Sequence, residues 1–158
     1  MKIGVLICVL MLTLSGTPVS AVETGAFEQA KRIGEANERS FFLFSTSIGH
    51  YAIRHDGMGE VSINARRRVF FLKVGAKARL AEVYFHEYQG DVVFVYEVSD
   101  GTVYVARMNQ KTRKTRWLTA IDATDIGSCV VAGSEAHCGP AAALTTIDLN
   151  TGALKTTA

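Results

Sequence analysis

The chain has 158 residues, 48% hydrophobic and 20% charged with only two prolines, which fits one globular domain and excludes disorder, a collagen-like fold and a large multidomain enzyme. Against 15 Asp and Glu, 17 Lys and Arg leave a net charge of +2, too little for an electrostatic nucleic-acid footprint, so no nucleic-acid partner is expected.

Met1 and Lys2 give a positive start, residues 3–14 are almost wholly apolar, and Pro18-Val19-Ser20-Ala21 ends in the small residues a signal peptidase reads. Residues 1–21 are therefore expected to be a signal peptide, and the mature chain to be periplasmic or secreted. The apolar run falls short of the ~20 residues of a spanning helix and no later run approaches that length, so no transmembrane segment is expected after cleavage. Cys8 leaves with the leader. In an exported chain the remaining pair, Cys129 and Cys138, is expected to form a disulfide, worth about 2–3 kcal/mol for so short a loop. A catalytic cysteine pair needs closer spacing, and these two with His137 fall short of the four ligands of a structural zinc site.

In residues 22–40, the apolar positions Phe27, Ala30 and Ile33 recur every three residues, with Glu28/Arg32 and Lys31/Glu35 at helix-type spacing and Thr24 as an N-cap. The pattern predicts one short helix, with a linker as the alternative. Residues 41–158 change character to short runs of Val, Ile, Phe, Tyr and Thr between turn residues, which predicts a mainly β, antiparallel meander domain. Strands are expected at 41–48, 51–55, 60–65, 69–74, 79–88, 92–98, 102–108, 116–121, 129–132 and 143–149. Asp56-Gly57 and Asp100-Gly101 supply the positive φ of tight hairpin turns. Ala81, Val83 and Phe85 alternate with Glu82, Tyr84 and His86, so that strand is expected to have one dry face and one wetter face. Residues 92–98 are apolar on both faces except at Glu97 and are expected to be central.

Three segments align: Leu72-Lys73-Val74-Gly75-Ala76, Gln110-Lys111-Thr112-Arg113-Lys114 and Leu149-Asn150-Thr151-Gly152-Ala153. From position 75 to 113 is 38 residues and from 113 to 152 is 39, near the roughly forty of a four-stranded propeller blade. The stretch from Gly90 through Asp100-Gly101 to Trp117, with the closing Ile147-Asp148-Leu149-Asn150-Thr151-Gly152, resembles the β-propeller repeats of quinoprotein-like periplasmic proteins. The resemblance covers residues 69–158 at most, and the 137 residues after position 21 would hold about three blades at this period. A closed propeller typically needs at least four blades, so the expectation divides between a partial propeller closed by a second copy, making a homo-oligomer, and a meander curled into a small barrel or sandwich. The residues that would hold a quinone have no counterpart here, and no cofactor is expected.

No catalytic constellation stands out. Ser128 and Ser134 follow glycines but lack the strand-turn-helix setting of an exposed nucleophile, and Gly57-Met58-Gly59 lacks the helix of a phosphate loop. His50 and His55 would need a third ligand from Asp56 or Glu60 to hold a metal, His86 and Glu87 point to opposite faces of a strand, and Asp122 and Asp125 offer too few oxygens for calcium. Two basic clusters remain, Arg66-Arg67-Arg68 and Lys111 to Arg116. Arg113, Lys114, Arg116 and Trp117, with Arg66, Arg67 and Arg68, are the candidate binding residues, against the plainer reading of solvated turns and a core Trp. The expected function is non-enzymatic: an exported protein presenting loops or a sheet edge to a protein or anionic envelope component. Alternatives are a small-ligand carrier lined by Phe70, Phe85, Phe94 and Tyr96, and a metal-dependent hydrolase using the histidines.

Overall fold

The computed structural model describes residues 24–36, 39–55, 68–75 and 78–155. In chain order the strands are β1 (Thr24–Ala26), β2 (Glu28–Gln29), β3 (Lys31–Ala36), β4 (Arg39–Thr46), β5 (Gly49–His55), β6 (Arg68–Leu72) and β7 (Leu80–Tyr88). They continue with β8 (Asp91–Val98), β9 (Val103–Asn109), β10 (Thr115–Ile121), β11 (Val130–Ala132), β12 (Glu135–Cys138), β13 (Thr145–Asp148) and β14 (Leu154–Lys155). They form three sheets: a first of order β3-β4-β5-β6, a middle one of order β2-β7-β8-β9-β10, and a third of order β1-β11-β12-β13-β14. Every pairing is antiparallel except β5 with β6, which run parallel with Tyr51 opposite Arg68.

The sheets stack as layers around two cores. Phe42, Phe44, Tyr51, Ile53 and Phe70 of the first sheet meet Val83, Phe85, Phe94 and Tyr96 of the middle one. On the other face, Val93, Val95, Val103 and Val105 meet Val131, Ala136, Cys138 and Ile147 of the third sheet. Because successive side chains of a strand point to opposite faces, β8 feeds both cores and is apolar on both sides. Within 92–98 only Glu97 is not buried, as the sequence predicts for a central strand. On β7, Val83 and Phe85 are buried and Glu82 is exposed as expected, but Ala81 is only half-buried, beside a register shift, and Tyr84 on the wetter face packs against the second core. The first core is rich in aromatics. Phe44 lies against Phe70, Phe85 and Phe94 with ring centroids 4.7–5.6 Å apart, tilted or edge-on as ring quadrupoles prefer.

No helix forms over residues 24–36, and the expected short helix is corrected to three strands, β1, β2 and β3. This segment is a strap: β1 pairs with β11, β2 with β7 and β3 with β4, so it adds one edge strand to each sheet in turn. The three-residue spacing has a different cause from a helical turn. Phe27, between β1 and β2, enters the core between the third and middle sheets, while Ala30, between β2 and β3, enters the core between the middle and first sheets. Phe27 and Ala30 each mark a step from one layer to the next, and their burial overrides local helix propensity, whereas Ile33 lies inside β3 and is exposed. Close contact with the middle sheet also needs Gly25: a Cβ there would lie 2.5 Å from His86 Cε1.

The propeller resemblance is overturned, because the three sheets are separate and none closes or curls into a blade. Its 39-residue step from Arg113 to Gly152 is real as turn chemistry. Asn109 Oδ1 accepts from the amides of Lys111 and Thr112, and Asp148 Oδ1 accepts from those of Asn150 and Thr151. The Arg113 amide then bonds Asn109 O and the Gly152 amide bonds Asp148 O, both residues at positive φ (60° and 75°). One hairpin turn is thus used twice, in two sheets. The segment around Gly75 instead follows the parallel edge strand β6. Two short strands, β12 and β14, were not foreseen. The expected strand at 60–65, the Asp56-Gly57 turn and the leader at 1–21 lie outside the described residues.

Candidate interaction site

One end of the stack gathers the turns at 47–48, 89–90, 110–114 and 149–152, and buried polar groups tie these turns together. Asp91, at the head of β8, is 1% exposed and Arg107, in β9, is 8% exposed. Arg107 Nε donates to Asp91 Oδ2 at 2.6 Å and its Nη1 donates to Leu149 O at 3.0 Å, joining the middle sheet to the third. The guanidinium lies over the Tyr88 ring at 4.9 Å. Arg116 Nε reaches the same Asp91 oxygen at 2.6 Å from a half-exposed side chain, and Asn109 Nδ2 donates to Oδ1 at 3.3 Å. A carboxylate this deep requires several charge-assisted donors, and here it has them.

Gln110 makes the matching link to the first sheet. It is 1% exposed; its Oε1 accepts from Thr46 Oγ1 at 2.8 Å and Tyr51 Oη at 3.4 Å, and its Nε2 donates to Glu87 Oε2 at 3.3 Å. Glu87 also accepts from the Ser47 amide and hydroxyl, both at 2.6 Å. Burial pushes the Glu87 carboxyl up, but the bonds from Ser47 and Gln110 outweigh it and hold it below the usual range. At the neighbouring turn the amides of Thr151 and Asn150 lower Asp148 in the same way. Asp91 is thus buried on its donors and Glu87 half-buried on Ser47 and Gln110, while Asp148 and its strand neighbour Glu135 stay partly exposed beside Lys155.

The candidate residues from the sequence divide. Lys114 and Arg113 are exposed in the 110–114 turn, and Arg116 bridges that turn to Asp91. Trp117 is half-buried: Nε1 donates to Leu149 O at 3.1 Å, and the ring lies so close to Gly152 that a Cβ there would fall 2.6 Å from Cδ2. Arg68 is exposed at the start of β6. Its register with Tyr51, which reaches Gln110, puts it at the same end as the 110–114 turn. Arg66 and Arg67 lie outside the described residues. Sequence reasoning missed Asp91, Arg107 and Gln110. The signal for Asp91 and Arg107 was an arginine inside a strand apolar on both faces, which demands a buried partner; Gln110 carried none.

Away from this end, Cys129 and Cys138 form the expected disulfide with Cα atoms 4.2 Å apart, tying β12 to the residue before β11. The histidines are dispersed over the sheets. His50 bonds Ser45 Oγ in the first, His86 bonds Ala26 O from the middle, and His137 bonds Thr146 Oγ1 in the third. Among the described residues no three His, Cys, Asp or Glu side chains converge as metal ligands, and no helix is long and apolar enough to cross a membrane. Phe70, Phe85 and Phe94 pack on one another or on Phe44, and Tyr96 donates to Lys73 O at 2.9 Å. A groove of about 570 Å³ lies elsewhere, where the strap passes from the middle to the first sheet, lined by Lys31, Arg32, Phe42 and Glu82 among others. No family model, curated protein or solved structure matches this chain.

Proposed function

We propose that this chain is an exported, non-enzymatic binding protein of the periplasm or cell envelope, and that the end of the stack built from the turns at 47–48, 89–90, 110–114 and 149–152 meets its partner. The observation that supports this reading is the excess of exposed positive charge there: Asp91 is buried on its donors and Glu87, Asp148 and Glu135 are engaged by Ser47, turn amides and Lys155, while Arg68, Lys111, Arg113 and Lys114 are exposed. The turns that carry the cations are fixed by Gln110 and Arg107, so the surface is preorganised and little ordering entropy opposes binding. Export rests on the leader-like residues 1–21 and agrees with a disulfide, which persists in oxidising compartments.

The test is a photo-cross-linking residue at exposed Thr115, beside the basic turn, compared with one at exposed Ala142, beyond the opposite ends of the strands. In intact cells the probe at Thr115 is expected to give an adduct, with a protein or with a phospholipid, and the probe at Ala142 none. Adducts only from Ala142, or from neither position, would remove the proposal.

A further inference from the structure

The chemistry of the partner follows from what the basic turn withholds as much as from what it offers. Outward-facing backbone amides would make such a turn a concave site for one discrete anion. Here the amides of Lys111 and Thr112 go to Asn109 Oδ1, that of Arg113 to Asn109 O and that of Lys114 to Thr112 Oγ1. Only side-chain charge is left to face outward, from Lys111, Arg113 and Lys114 in one sheet and Arg68 in another. Such charge is spread over the ends of two layers and suits an extended anionic surface better than a single small ligand.

An apolar group is exposed at the same end. Ile48, at the tip of the β4–β5 turn, is 53% exposed. Its amide donates to Thr46 Oγ1, which in turn bonds Gln110, the residue before Lys111, so the tip and the basic turn share one rigid connection. An exposed aliphatic tip at the end that also carries the exposed Arg68, Lys111, Arg113 and Lys114 matches a layer of anionic headgroups over an apolar interior. An acidic protein segment gives no reason for the isoleucine.

We propose that this end of the stack docks on an anionic phospholipid surface, with Ile48 entering the headgroup layer and Arg68, Lys111, Arg113 and Lys114 lying against the phosphates. The inference rests on the reading above that this end is the interaction surface. Attraction of about 1 kcal/mol for each basic side chain near such a surface corresponds to about fivefold in partitioning per residue.

The experiment is co-sedimentation of the protein lacking residues 1–21 with vesicles of mixed phosphatidylglycerol and phosphatidylcholine, and with vesicles of phosphatidylcholine alone. Binding is expected only to the anionic vesicles, about fivefold weaker for Lys114→Ala and absent for Lys111→Glu/Arg113→Glu/Lys114→Glu. Ile48→Asn is expected to weaken it several-fold at unchanged charge. Ala141→Asp/Ala142→Asp, which adds negative charge beyond the other end of the strands, is expected to bind nearly as the parent does. Circular dichroism verifies that each variant is folded. Equal binding to both vesicle types, or binding that survives the triple substitution, would overturn the inference. Absence of vesicle binding with a protein adduct at Thr115 would overturn the lipid assignment and leave the binding reading standing; absence of both would remove the two together.

Discussion

Removing the Asp91 carboxylate tests whether the buried polar link holds the layers together. In Asp91→Ala the Arg107 guanidinium loses its counter-ion at 2.6 Å while staying 8% exposed, and keeps only Leu149 O at 3.0 Å and longer contacts to Asn150 and Gln89. Breaking a buried pair by removing one partner costs about 3–5 kcal/mol, a large share of the 5–15 kcal/mol typical of a domain. Arg116→Ala removes the other ion pair to Asp91, but its half-exposed side chain is screened by water, so that loss is expected to be about 1 kcal/mol or less. Urea unfolding followed by circular dichroism, with the disulfide intact, reads both numbers. Replacing both buried partners, as in Asp91→Leu/Arg107→Met, should recover much of the stability, since no lone charge is then left inside. The reasoning is refuted if Asp91→Ala costs no more than Arg116→Ala.

Gly152→Ala sets a Cβ against Trp117 at a residue with φ of 75°; it is expected to lower stability by about 1–3 kcal/mol and to shift the Trp117 fluorescence maximum, and a silent substitution would contradict the packing. Cys129→Ala/Cys138→Ala is expected to cost about 2–3 kcal/mol in thermal or urea unfolding without loss of the fold. Glu87 is held below its unfolded pKa, so its contribution is present above that value and is lost as pH falls through the folded pKa. Glu87→Gln should therefore flatten the acid limb of a stability-versus-pH curve below about pH 4.5, and leave a shallower decline from Asp100 and Asp148, which shift in the same direction.

The sequence was legible where one residue pattern had one structural meaning. Residues 92–98 are apolar on both faces because they serve two cores, and Asp100-Gly101 makes a hairpin turn because Gly101 takes a φ of 85° while the Asp100 carboxylate accepts the Thr102 amide. The strap was misread because a three-residue apolar spacing fits a helix locally, whereas β1 and β2 pair with partners fifty or more residues away, such as Phe85 opposite Glu28. The repeat misled for a related reason: two Asx-type turns of one hydrogen-bonding pattern fall 39 residues apart, yet one joins the seven-residue strands β9 and β10 and the other the short strands β13 and β14, so the spacing implies nothing about blades. The basic turn was found from its charge. Its support was not, because Asp91 and Arg107 are 16 residues apart and only strand pairing brings them together. Gln110, inside a run of polar turn residues, gave no sign of being buried.

The central claim is that charge at one end of the stack brings this protein to its partner, and the most direct measurement is the fraction of the mature chain that sediments with isolated cell envelopes as salt is raised. Exposed charges are screened within about 10 Å at 0.1 M salt, so the account predicts association at low salt, progressive release as salt rises, and no association at any salt for Lys111→Glu/Arg113→Glu/Lys114→Glu. Association that is indifferent to salt, or that the triple variant retains, would contradict it.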